Sequence, residues 1–128
     1  MRVISPPAPV AAAFFLFALG AWCVRHGYIG VDHDAILYAF QAIATDGAAF
    51  LRDDLYLRYG SQDAYTAFSP LFRAFIAAFG FSGGSLGLVV VGQVAWVAGA
   101  LTLARAVTGG SVAALSVAAL MIAALDPV

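Results

Sequence analysis

Three long runs without a charged residue constrain this chain more than any other feature of it. Arg2 and Arg25 enclose 22 uncharged residues, Arg73 and Arg105 enclose 31, and Arg105 and Asp126 enclose 20. A helix of about 20 apolar residues crosses the hydrocarbon core of a bilayer, and each run is that long. Composition agrees: 63% of residues are hydrophobic and 10% are charged, against about 25% charged in ordinary soluble domains. A soluble fold would have too little polar surface to cover itself. The chain has no Lys and no Glu, and its net charge is −1, which excludes the basic patch that nucleic acid demands. The single cysteine, Cys23, excludes an internal disulfide framework and a Cys-rich metal site.

The first run carries Pro6, Pro7 and Pro9, so its helix is expected to start near Ala8 or Val10 and to cover residues 8–24. It reads as an anchor that stays in place. No small-x-small site precedes a polar start, and Trp22 before Cys23 spoils a lipoprotein-type cleavage site. The second run is too long for one straight span. Ser69-Pro70 has the form of an N-cap followed by proline at the first helical position. The helix it starts covers residues 70–80 and ends at Gly80, with Leu71, Phe72, Phe75, Ile76 and Phe79 at helical spacing. An aromatic-rich apolar face of this kind suits the membrane surface. Ser82-Gly83-Gly84 is read as the break that follows, and residues 86–104 as the second span. Gln93 within it either seeks a partner helix or bonds inside its own. After a tight turn, residues 111–125 form a short third span that Asp126-Pro127 stops.

Between the first two spans, residues 25–69 hold six of the seven Asp, all five Tyr and both His. Tyr favours the membrane–water interface, where the ring sits among headgroups and the hydroxyl stays wet. A polar loop so rich in Tyr, Phe and Leu folds against the membrane rather than hanging as a tether. Asp34 is a good N-cap for a helix over residues 35–44 with an apolar stripe of Ile36, Leu37, Phe40 and Ile43, ended by Asp46-Gly47. Gly60-Ser61 marks a later turn. The expected fold class is therefore an all-α membrane protein, with about three transmembrane helices and a helical, membrane-lying loop between the first and the second. Three spans bury little of one another, so the chain reads as the front of a longer polytopic protein, with further C-terminal spans or partner helices completing it.

The leading chemical candidate is Asp32-His33-Asp34, just after the first span. A carboxylate at a membrane surface can serve as a general base. Two carboxylates two residues apart can also share a divalent cation, since hard cations prefer oxygen ligands. The plainer reading is a solvated loop in which Asp34 only caps the next helix. His33 is a candidate base or metal ligand, or simply exposed, and His26 reads as an interfacial residue. Ser69 reads as a cap rather than a nucleophile, since no Gly-x-Ser-x-Gly surrounds it. The Gly83-Gly84 and Gly109-Gly110 pairs match no phosphate loop.

The segment Asp34-Ala35-Ile36-Leu37-Tyr38-Ala39 resembles the Asp-Glu-x-x-Tyr-Ala pattern that follows the first span in GT-C fold glycosyltransferases, such as the aminoarabinose transferases and protein O-mannosyltransferases. The arrangement of a first span, a long loop and then short-looped spans is also similar. The resemblance implies transfer of a sugar from a polyprenyl-phosphate carrier to an acceptor hydroxyl. It implies Asp34 as the base, with Tyr38 on the pocket wall. Ala35 departs from the pattern, which has an acidic residue there, and Asp32 is the carboxylate placed to substitute. Cationic side chains would hold the carrier phosphate, and Arg52 and Arg58 are the candidates because the guanidinium fork suits phosphate. Their alternative is pairing with Asp53, Asp54 or Asp63.

The resemblance puts the protein in a bacterial inner membrane with residues 25–69 on the periplasmic side. A bare Arg count points the other way. Arg25, Arg52, Arg58 and Arg73 lie on the loop side and Arg2 and Arg105 on the other, and positive charge favours the cytoplasm. The alternative function is a small non-catalytic membrane protein or subunit. A transporter would need a charged or broken helix at mid-membrane depth, and no charge lies inside any of the expected spans.

Overall fold

The computed structural model describes residues 7–32, 34–44, 51, 53–60 and 66–124. Of Asp34 only the backbone is described. Most of these residues are helical, and no strand occurs among them. The helices are α1 (Ala8–Arg25), α2 (Asp34–Ala44), α3 (Phe68–Thr108) and α4 (Val112–Ala124), with a short π-helical turn at Tyr56–Gly60. The chain divides into two units. One comprises residues 1–27 and 90–128, the other residues 28–89. Helix α3 contributes to both.

In the first unit, Pro7 sits in extended conformation ahead of α1. Its carbonyl accepts the amides of Val10 and Ala11 at 2.9 and 3.2 Å. Proline costs nothing in the first helical turn, where amides have no intrahelical partner. Helix α1 packs on α4, and Ala18, Val97, Leu101, Ala119 and Ile122 form the buried centre with Phe14, Phe15 and Trp22 around them. The alanines let backbones come close, which is how apolar helices associate when no water drives them together. Gly109 and Gly110 both have positive φ, 70° and 80°. They end α3, and the Ser111 hydroxyl then accepts the Ala114 amide at 3.2 Å to start α4. Both glycines are required by a left-handed turn that a side chain would strain.

Gln93 reaches another helix. Its Nε2 donates to the His26 carbonyl at the end of α1 at 3.0 Å, and the Cys23 thiol donates to its Oε1 at 3.4 Å. One amide side chain thereby satisfies a carbonyl at the α1 terminus that has no intrahelical partner. His26 itself stacks on Trp22, with ring centroids 3.7 Å apart. Its Nδ1 lies 3.0 Å from the Trp22 carbonyl, so that nitrogen carries the proton.

In the second unit, α3 starts earlier than Ser69. The Thr66 hydroxyl accepts the Phe68 amide at 3.1 Å and the Ala67 carbonyl accepts the Leu71 amide at 3.2 Å. Ser69 is therefore not the cap. It lies inside the first turn, and its hydroxyl donates instead to Gln41 Oε1 at 3.2 Å. The helix is interrupted at Gly80, with φ 73° and ψ 174°, a region open to glycine almost alone. Helix resumes at Phe81, so Ser82-Gly83-Gly84 is not the break. Those glycines serve a different end: a Cβ on Gly84 would lie 2.8 Å from the backbone of Phe75 and Ile76. The two arms flanking Gly80 fold back on each other at that point, with the Phe72 and Phe81 rings 6.4 Å apart and Ile76 and Leu88 packed about Phe72.

Helix α2 presents its small residues inward. Ala39 and Ala42 are buried against Phe72, while Ile36, Leu37 and Phe40 are 39%, 38% and 43% exposed. Three of the four residues of the apolar stripe therefore face out of the unit, and only Ile43 is half-buried.

Two helices, α1 with 18 residues and α3 with 41, are long and apolar enough to cross a membrane, and only 6% and 11% of their most apolar stretches are buried. The core helix of a soluble protein would be mostly covered. Helix α4 has 13 residues and reaches only about 20 Å at 1.5 Å per residue.

Candidate functional site

The residues that follow α1 form a turn in which Gly30 has φ 104°, and the Asp32 carbonyl accepts the Ala35 amide at 3.1 Å. That hydrogen bond closes the first turn of α2, whose first residue is Asp34. Asp32 is exposed. The side chain of Asp34 and the whole of His33 lie outside the described residues, so the structure places the backbone from which the candidate base projects. It does not describe the spacing of the two carboxylates.

Tyr38 stands one turn beyond Asp34. It is half-buried and meets Phe68 edge-to-face, with centroids 5.1 Å apart at 66°. Together they line a cavity of about 210 Å³ whose walls also include Tyr28, Ala35, Phe72 and Leu88. Every one of these residues belongs to the unit of residues 28–89. The wall is almost wholly hydrocarbon and aromatic. Ser85 also lines it, but its hydroxyl donates to the Phe81 carbonyl at 2.7 Å.

The arginines divide. Arg52 lies outside the described residues. Arg58 is exposed on the turn Tyr56–Gly60, its guanidinium 5.4 Å from the centre of the Tyr59 ring, and it does not line the cavity. Asp54 Oδ1 accepts the amides of Tyr56 and Leu57 at 3.0 and 3.1 Å, so this carboxylate starts the turn, as short polar side chains do at helix beginnings.

Sequence reasoning passed over Gln41. It is 1% exposed, accepts from Ser69 Oγ and donates to the Tyr56 hydroxyl at 3.5 Å. One buried amide thus ties α2 both to the start of α3 and to the turn that carries Arg58. Its signal was in the chain: it is the lone polar residue of Ala39-Phe40-Gln41-Ala42-Ile43-Ala44, and a buried amide must find partners.

Among the described residues, no group of three or more His, Cys, Asp or Glu side chains is placed to hold a metal ion. No protein-family model matches the chain, and neither a curated protein nor a solved structure matches it.

Proposed function

We propose that the chain belongs to an integral membrane glycosyltransferase that moves a sugar from a polyprenyl-phosphate carrier to an acceptor hydroxyl. In this reading α1 and the second arm of α3 cross a bacterial inner membrane, α4 lies within it, and residues 25–69 lie on its periplasmic surface. The membrane part is supported by α1 and α3, apolar helices of whose most apolar stretches only 6% and 11% are buried. In water, contiguous apolar surface of that size would drive association. Lipid removes the conflict.

The observation that carries the catalytic part is the position of Asp34. It opens a helix directly after the first apolar helix, one turn ahead of an aromatic cavity wall at Tyr38. A sugar on a lipid phosphate already has a good leaving group. The acceptor oxygen attacks the anomeric carbon, the bond from that carbon to the phosphate oxygen breaks, and the carboxylate of Asp34 takes the acceptor's proton. Arg52 and Arg58 neutralise the departing phosphate. Asp32 is the second carboxylate, available to share a divalent cation with Asp34.

The test uses membranes from cells expressing the protein from its whole reading frame. They are given polyprenyl phosphate carrying radiolabelled aminoarabinose or mannose. The expected result is label on an acceptor hydroxyl with release of the carrier phosphate. Label that stays on both carriers contradicts the reading.

A second reading, a non-catalytic membrane subunit, has its own observation. A groove on α3, lined by Ala95, Gly99, Ala100 and Ala104 together with Trp96 and Leu103, offers small residues against which an apolar helix can pack. It predicts a partner that co-purifies and no sugar transfer.

A further inference from the structure

We infer that the cavity beside Tyr38 is a seat for the hydrocarbon chain of a membrane lipid. The inference rests on the membrane part of the proposed function and deepens it, because it assigns this cavity to lipid hydrocarbon rather than to a sugar.

The first reason is the chemistry of the wall. Val31, Phe68, Phe72 and Leu88 offer only hydrocarbon, and Tyr28 and Tyr38 are largely ring. Ser85 spends its donor on the Phe81 carbonyl of its own helix. A sugar has a hydroxyl on almost every carbon, and each one taken out of water without a partner is penalised. A hydrocarbon chain has nothing to satisfy and gains from leaving contact with polar surroundings.

The second reason is size. An apolar cavity of about 150 Å³ admits benzene. At about 210 Å³, this one holds roughly eight carbons by the same measure, which is a short length of acyl or isoprenyl chain and no more.

The third reason is what flanks it. Ile29 is 84% exposed and Leu71 48%, and Ile36 and Leu37 stand outward on the helix that forms one wall. Exposed apolar side chains thus stand on the same unit as the cavity, the kind of surface that lipid covers.

The experiment places the full 128-residue chain in phosphatidylcholine nanodiscs. It is exposed to two photoreactive probes, an eight-carbon alkanol and a ten-carbon isoprenyl alcohol, each carrying a diazirine, and the labelled residues are mapped by mass spectrometry. The expected result is label concentrated on residues 28–38 and 68–89, above the level on the exposed helix α4. Ala35→Phe and Val89→Phe each occupy the cavity from a different wall. Each should cut that label about tenfold, since displacing two methylenes is worth that factor, with α4 labelling unchanged. Equal labelling by both probes assigns the seat to any bilayer chain, and a preference for the isoprenyl probe assigns it to an isoprenoid lipid. Label that matches α4 and ignores both substitutions overturns the inference. So does suppression by free mannose but not by unlabelled octanol. No sugar transfer enters the measurement, so a failed transfer assay leaves this result standing, and the reverse also holds.

Discussion

Asp34→Asn in the intact protein should reduce sugar transfer by about 10²–10⁴-fold, the range a positioned general base contributes, while leaving membrane insertion unchanged. The substitution separates chemistry from structure. Asp and Asn are equally good at a helix start, so α2 keeps its first turn, which the Asp32 carbonyl and Ala35 amide also close. The amide cannot accept the acceptor's proton. Asp32→Asn also leaves that backbone hydrogen bond in place and should cost less, because in this mechanism the acceptor's proton goes to Asp34. If Asp34 only caps the helix, Asp34→Asn transfers sugar at the wild-type rate, and that outcome removes Asp34 from the mechanism. The measurement is initial rate with the labelled carrier, normalised to protein found in the membrane fraction.

The largest effect on stability is expected at Gly84. A Cβ there lies 2.8 Å from Phe75 carbonyl carbon and oxygen and from the Ile76 amide nitrogen. Backbone atoms cannot swing aside as the end of a side chain can. The arms of α3 must part, and the contacts that Phe72 makes with Leu88 and with Ala39 and Ala42 of α2 go with them. Gly84→Val should lower the unfolding free energy by about 3 kcal/mol or more, the scale of severe overpacking. Its neighbours provide the comparison. A Cβ on Gly83 meets the Cβ of Phe79, at 3.2 Å, and one on Gly92 meets nothing within 4 Å. Gly83→Ala should therefore cost less than Gly84→Val, and Gly92→Ala should be neutral or stabilising by up to about 1 kcal/mol through helix propensity. Denaturation of the purified variants in nanodiscs checks all three. Equal midpoints for Gly84→Val and Gly92→Ala would mean that the arms do not approach as described.

The glycines also show where sequence reading reaches its limit. The long uncharged runs place α1 and α3, because lack of charge over 20 residues leaves few alternatives. The arm that begins near Pro70 stops at Gly80, where apolar spacing meets a residue free to adopt positive φ. Gly83 and Gly84 read as a break, and only the fold shows that Gly80 takes that part while Gly84 serves a close approach of backbones. Thr66 supplies the hydroxyl at the start of α3, while that of Ser69 goes to Gln41, a long-range contact invisible to local rules. On α2, large apolar residues were legible as a stripe but not its direction. Small side chains lie inward because they pack closely on Phe72, and the large ones remain for an apolar surrounding. Gln93 was legible as a residue in need of a partner, but not that His26 and Cys23 would supply it. Tyr38 was placed on a pocket wall only by the resemblance of Asp34–Ala39 to the glycosyltransferase pattern, and in the structure it lines a cavity. The cavity's chemistry was not legible, because four of its walls come from residues more than thirty positions away.

The side of the membrane on which residues 25–69 lie decides most directly between this reading and its rivals. The bare Arg count sends them to the cytoplasm, while a periplasmic transferase requires them outside. Tyr59 is 75% exposed, and Tyr59→Cys in a Cys23→Ser background gives the chain one thiol, on that loop. The proposal predicts labelling by a membrane-impermeant maleimide in spheroplasts with intact inner membranes. A thiol that reacts only after the inner membrane is opened would put the loop, and Asp34 with it, on the cytoplasmic side and contradict the proposed transferase.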